Sequence, residues 1–272
     1  MDSFICITCG TQFAETNGPP TRCPICDDER QYVGHGGQQW TTLAALRTGH
    51  RNTLEDIADG LTGIATEPKF AIGQQAHLIA TPAGSLLWNC ISLIDDATEA
   101  EIERRGGLAA IAISHPHFYS SAVEWSRSFG SAPIWLHADD REWVMRPDPA
   151  IHFWSGDTAD PLPGSDLTLI RCGGHFPGSC AIHWPAGANG TGVLLTGDTI
   201  TVVADRRWVS FMYSYPNDIP LGADAIRRIV AAVEPYPFHR LYGGWSSAVV
   251  VADAKATVHR SAERYLRHIG AR

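Results

Sequence analysis

No cluster of lysine and arginine stands anywhere in these 272 residues, and acidic side chains outnumber basic ones by 29 to 21, a net charge of −8. Binding along a phosphate backbone needs a surplus of cations, so a general nucleic-acid partner is excluded. No stretch approaches the roughly 20 apolar residues of a membrane span, which excludes a bilayer-spanning helix. The opening Met1-Asp2-Ser3-Phe4-Ile5-Cys6 has neither the positive segment nor the apolar run of a secretory leader. Internal repeats and low-complexity segments are also missing. What remains is an ordinary globular composition, 44% hydrophobic, enough for one large domain and a small appendage. Nine tryptophans exceed average usage and are expected in the core or in pocket walls.

Four of the seven cysteines fall in the first 26 residues, spaced Cys6-x2-Cys9-x13-Cys23-x2-Cys26. Two C-x2-C pairs at this separation suit a closed tetrahedral thiolate shell around a structural zinc, with Zn–S near ~2.3 Å. Gly10 follows the first pair and Pro24 sits inside the second, as knuckles that turn amides toward sulfur require. Residues 1–33 resemble a zinc ribbon or rubredoxin-like knuckle pair. Iron would fit the same thiolates. Two disulfides are the competing account, disfavoured by the missing leader and by three further cysteines, Cys90, Cys172 and Cys180. The cysteine usage fits a reducing cytoplasm.

Beyond the ribbon, Gly34-His35-Gly36-Gly37 marks a joint, and residues 34–69 are expected to be a linker with a short helix over 41–47. From residue 70 apolar strands alternate with amphipathic segments. A hairpin is expected over 76–89, helices over 96–105, 121–129, 222–233 and 248–268, and buried strands at 108–113, 133–136, 167–171, 180–184, 192–195 and 240–242. This order of hairpins and β-α-β crossings makes the fold class α/β.

Functional groups in α/β proteins gather just past the ends of buried strands. Three such positions here carry metal-ligand residue types: Ser114-His115-Pro116-His117-Phe118-Tyr119-Ser120, Gly173-Gly174-His175-Phe176-Pro177-Gly178, and Thr196-Gly197-Asp198-Thr199. Each alone is a weak signal, since a loop histidine or a Gly-Asp turn commonly does nothing chemical. Together, three histidines and a carboxylate form the donor set of a catalytic metal shell.

The order H-x-H, then G-G-H-x-P-G, then L-L-x-G-D resembles the metallo-β-lactamase fold superfamily over residues 70–272. The resemblance implies an αββα sandwich with metals at the edge between its sheets. It implies that His115, His117 and His175 are the three histidine ligands and Asp198 the bridging carboxylate. Three departures matter. Tyr119 stands where the family has Asp, Ser120 where it has a fourth His, and Trp245 where it has the last His. Those positions normally build the second metal site, so one metal, zinc or iron, is expected.

The resulting expectation is a hydrolase acting on an ester, thioester, lactone or similar small molecule through a single metal-activated water. Asp198 would orient that water or ligate the ion, with the Tyr119 hydroxyl as a poor substitute base. A two-His-one-carboxylate Fe(II) dioxygenase is an alternative. A degenerate, non-catalytic protein that docks a protein partner through its ribbon is another. Phe118, Trp208, Phe211, Tyr213 and Trp245 are candidates for an apolar substrate pocket, or else pack under the terminal helices.

Overall fold

The computed structural model describes residues 1–271. Two β-sheets lie face to face with helices on their outer sides. The first has seven strands in sequential order, Arg51–Ala58, Leu61–Glu67, Ala76–Thr81, Gly84–Trp88, Ala110–Ala112, Ile134–His137 and Ile151–Trp154. Its first four strands are antiparallel and the rest join in parallel. The second sheet has six strands, Thr158–Ala159, Thr168–Arg171, Cys180–Trp184, Val193–Leu195, Arg240–Tyr242 and Val249–Val250.

Side chains alternate across each strand, and the alternation divides the core into layers. Leu86, Trp88, Ala110 and Ala112 face the second sheet, where they meet Leu169, Ile182, Val193 and Leu195. Their neighbours Leu87, Ile111 and Ile113 face outward, onto Ile102 and Trp125 of the helices Asp96–Arg104 and Ala122–Ser128. On the far side Ala181 and Leu194 pack against Ile226, Ile229 and Val258 of the helices Ala223–Val233 and Ala254–His268. Asp95 caps the helix Asp96–Arg104 by accepting the Thr98 N–H at 2.8 Å. The architecture is therefore the expected αββα sandwich.

The expected linker is corrected in part. Residues 51–67 form an antiparallel hairpin at the edge of the first sheet, so the sandwich begins well before residue 70. Residues 249–250 form an edge strand, and the last helix starts at Ala254.

The N-terminal ribbon has its own small core, Cys6, Cys9, Cys23, Ile25 and Cys26, against which Phe13, Trp40, Trp143 and Met145 pack. It lies on the edge of the sandwich where the three polar loops emerge. The Gln12 N–H donates to the Ser120 carbonyl at 3.0 Å, and Ser92 Oγ to the Gly10 carbonyl at 2.7 Å. Among the described residues no helix is long and apolar enough to cross a membrane.

Candidate metal centre

Each ligand-bearing loop is held by specific contacts. After the strand Ala110–Ala112, the Asn89 side-chain carbonyl accepts the Ser114 N–H at 2.9 Å, and Ser114 Oγ meets His115 Nδ1 at 2.8 Å. A 3-10 turn over Pro116–Phe118 then brings His117 beside His115, ring centroids 5.2 Å apart. Between the strands Thr168–Arg171 and Cys180–Trp184, Gly173 and Gly174 adopt positive φ. There His175 Nδ1 donates to the Met212 carbonyl at 3.2 Å. After Val193–Leu195, Gly197 turns the chain at φ +54°, so close to Ser114 that a Cβ would lie 2.4 Å from its Oγ.

These loops bring the four expected residues together. His115 Nε2 lies 3.4 Å and His175 Nε2 3.9 Å from Asp198 Oδ2, and His117 Nδ1 lies 3.2 Å from His175 Nε2. Donors held tetrahedrally at Zn–N lengths of ~2.0–2.1 Å would stand about 3.3 Å apart, close to these separations. All four residues are buried, with exposures of 1–4%. His115 Nε2 and Asp198 Oδ1 have no hydrogen-bond partner. Buried polar atoms left unmatched cost about 1–3 kcal/mol each, and a shared cation is what this donor set fits. Burial, then the neighbouring His115, pushes His175 down to about 4. Burial also drives His117 well below its ordinary value, with His175 and His115 adding to it. Both imidazoles are neutral near pH 7, as ligation requires.

In the ribbon, the sulfurs of Cys6 and Cys26 are 3.6 Å apart and those of Cys9 and Cys23 3.7 Å apart. A disulfide would hold them at about 2.05 Å, whereas four sulfurs at ~2.3 Å from one centre are about 3.8 Å apart. All seven cysteines are free. The ribbon thus fits a metal ion and not a pair of disulfides. Among the described residues these two are the groups of three or more metal-ligating side chains that converge.

The positions expected to lack a second metal are occupied by packing. Ser120 Oγ donates to the Cys90 carbonyl and accepts from Gln74, while the Ser120 backbone carbonyl takes the Gln12 N–H from the ribbon. The Trp245 indole lies 6.1 Å from the Phe118 ring and donates to the Ile72 carbonyl at 3.4 Å.

The catalytic role expected of Tyr119 is not borne out by its placement. Its ring is buried in the outer core of the first sheet, and its hydroxyl lies 3.5 Å from the Asp140 carbonyl. Burial raises its phenol well above the ordinary value, the wrong direction for a base. Two of the five pocket candidates are likewise elsewhere. Phe211 is fully buried in the second sheet's outer core, edge-on to Tyr265. Trp208 lies under the guanidinium groups of Arg264 and Arg260 on the terminal helix. Phe118 forms the floor beneath His115, ring centroids 4.6 Å apart. Tyr213 donates to Glu29 of the ribbon.

Two residues outside the expected ligand set touch it. Tyr215 donates to the Asp198 carbonyl at 2.9 Å, with its ring 5.9 Å from that of His175. Arg30, from the ribbon, donates to the His175 carbonyl at 3.3 Å and stacks 3.8 Å from the Phe176 centroid. Tyr215 belongs to the aromatic run Phe211-Met212-Tyr213-Ser214-Tyr215-Pro216, whereas Arg30 is announced by no local motif.

Fold and site together define a metallo-β-lactamase-fold protein with one cluster of three histidines and an aspartate, and a ribbon of four cysteines. The fold is shared with VMB-1 (TM-score 0.59, 13% identity, 80% of this chain and 98% of that one) and with the metallo-β-lactamase DIM-1 (0.58, 12%, 80% and 98%). The flavodiiron core of Flv1 from Synechocystis sp. PCC6803 is also similar (0.54, 16%, 82% and 62%). No family model matches the chain. The chain belongs to the family of YmaE of Bacillus subtilis (strain 168), an uncharacterized protein to which it is 52% identical over 269 residues, 98% of this chain and 97% of the relative.

Proposed function

We propose that this protein is a metal-dependent hydrolase of esters, thioesters or lactones, with one ion held by His115, His117, His175 and Asp198 and a structural zinc in the ribbon. The observation that carries the proposal is the convergence of three imidazoles and one carboxylate at spacings near the edges of a metal tetrahedron. When bound, the ion supplies Lewis acidity and lowers the pKa of a coordinated water toward ~7.

The protein's own groups do the rest. The Met212 carbonyl accepts a hydrogen bond from His175 Nδ1–H and so leaves the Nε2 lone pair facing the cluster. Ser114 holds the His115 ring from the opposite nitrogen. Asp198 Oδ1, without a partner, is the carboxylate oxygen placed to accept a proton at the site. Phe118 and Phe176 flank the histidines and keep the surroundings apolar, which strengthens charge–dipole interactions there. Acyl substrates are favoured over phosphodiesters because a two-metal clamp has no ligands here.

The test is elemental analysis of wild type, His115→Ala and Cys9→Ser, alongside hydrolysis of a panel of nitrophenyl esters, thioesters and lactones. Each variant is expected to lose the ion of its own cluster, and His115→Ala to lose turnover. Turnover unchanged in His115→Ala, or a fully loaded cluster inert toward every acyl substrate, defeats the proposal.

A further inference from the structure

The four donor residues are buried, and a side chain packed on the loop that carries His175 comes from the N-terminal ribbon. Arg30 follows the second cysteine knuckle, its side chain only 9% exposed. The guanidinium lies 3.8 Å from the Phe176 ring and 5.3 Å from both Trp143 and Tyr213, and Nη1 reaches the His175 carbonyl. Nε and Nη2 are held by Asp28 at 2.6 and 3.0 Å. On the outer side of Arg30 a surface cleft of about 470 Å³ opens, lined also by Trp143, Arg171, Gly174, Pro177 and Tyr213. Gly174 and Pro177 bracket His175 and Phe176 in sequence. Arg30 therefore lines this cleft while holding the His175 carbonyl and the Phe176 ring of the ligand loop.

The segment that carries Arg30 is seated by polar contacts. Ser214 Oγ donates to the Arg30 carbonyl at 3.1 Å, and Asn217 Nδ2 to the Glu29 and Gln31 carbonyls at 2.9 Å each. Just beyond, Tyr32 and Val33 are exposed, and Gly34 to Gly37 form a turn. Apart from Arg30, whose guanidinium is buried against Phe176, Trp143 and Tyr213, the seat consists of these polar contacts, which water can replace on local opening. The cysteine core, by contrast, is buried and packed on Trp143 and Met145. The connection after Cys26 thus joins an apolar knuckle to a segment seated on polar atoms and on the rings around Arg30.

We propose that residues 28–31 of the ribbon are a gate over the metal centre, with Arg30 as the side chain that closes the route from the cleft to His175. The gate rests on the preceding proposal that this cluster holds an ion and is the reacting site. Opening exchanges the contacts of Arg30, Ser214 and Asn217 for water and leaves the cysteine shell in place.

Zinc-loaded protein is mixed with excess EDTA, and the zinc remaining is followed with time. His115→Ala, which keeps only the ribbon ion, identifies the slow cysteine-bound phase. In Arg30→Ala, release from the histidine cluster is expected to speed by about tenfold or more, with the cysteine phase unchanged. Asn217→Ala should move the same way by less. Wild-type release rates in both variants overturn the gate. If Arg30→Ala disturbs the cysteine phase, Asn217→Ala alone decides. Should wild type and His115→Ala carry the same zinc, the hydrolase proposal fails, and the gate is judged on metal-free protein by diethyl pyrocarbonate labelling mapped to His115 and His117. Faster labelling in Arg30→Ala then supports the gate, and equal labelling defeats it.

Discussion

His117 Nδ1 and His175 Nε2 face each other at 3.2 Å, while His175 Nδ1 is already committed to the Met212 carbonyl. A carbonyl only accepts, so a neutral His175 carries its proton on Nδ1 and offers a lone pair at Nε2. In the metal-free protein His117 must therefore carry its proton on Nδ1, leaving Nε2 buried and unpartnered. With an ion shared at this point, Nδ1 must give up that proton and Nε2 hold it. Nitrogen-15 NMR of the histidine side chains is expected to report an Nδ1–H tautomer for His117 without metal and Nε2–H with it. The same tautomer in both states means that His117 is not a ligand through Nδ1.

A second prediction concerns acid. His77, on the strand Ala76–Thr81, is buried against Tyr242 with Nδ1 unpartnered, and burial lowers it from 6.5 to about 4. As pH falls below 6.5 the unfolded chain takes the proton before the folded one does. The stability that neutral His77 contributes is thus complete above 6.5, drains between 6.5 and 4, and is gone below about 4. The span corresponds to roughly 3 kcal/mol. Urea unfolding of wild type and His77→Phe at about pH 7, above that window, and at about pH 4.5, near its lower end, measures it. The variant should lose less stability on acidification, and equal losses would mean that His77 is solvated or already charged.

The histidine site was legible because its chemistry sits in short segments at strand ends. The residue types of His115, His117, His175 and Asp198, and the apolar runs before them, locate the loops without knowledge of the pairing. The cysteine shell was legible from spacing alone. The hairpin 51–67 was not, because an edge strand with one exposed face carries few apolar residues, and its Gly and Thr, with Pro68 just beyond, resemble a linker. Phe211 and Trp208 were misplaced for a related reason. Aromatic content shows that rings are buried somewhere, but only the sheet register decides which face receives them. Arg30 had no sequence signal, since its partners Phe176, Tyr213 and the His175 carbonyl lie more than a hundred residues away.

Gly197 gives a third prediction, on the support beneath a ligand. It stands at φ +54°, and a Cβ there would meet Ser114 Oγ at 2.4 Å, Ser114 Cβ at 3.0 Å and Phe118 Cε2 at 3.3 Å. Ser114 cannot retreat without breaking its contact to His115 Nδ1. Gly197→Ala is expected to cost about 1–3 kcal/mol through backbone strain and overpacking. Zinc affinity at the histidine cluster should weaken by roughly 10–100-fold, as loss of ligand support generally does, while ribbon zinc is retained. Competition titration against a chelator separates the sites, and an undiminished histidine-site affinity would show that Ser114 does not orient His115.

The last prediction separates a ligand-site role from packing at Tyr119. The family resemblance placed this residue where a water-orienting carboxylate usually stands, yet its hydroxyl makes one long contact to the Asp140 carbonyl inside the outer core. The phenol's pKa is raised by burial, so it gives up a proton less readily than a free tyrosine. Tyr119→Phe keeps the ring and removes only the weak hydrogen bond, and should change stability by less than about 1 kcal/mol. Tyr119→Ala leaves a cavity in the same core and should cost about 3–5 kcal/mol, as large aromatic truncations do. Neither kcat on the best acyl substrate nor its pH profile is expected to move in Tyr119→Phe. A loss of rate with a displaced alkaline limb would return the hydroxyl to the catalytic site. It would also require the segment from His117 to Ser120 to rearrange when substrate binds.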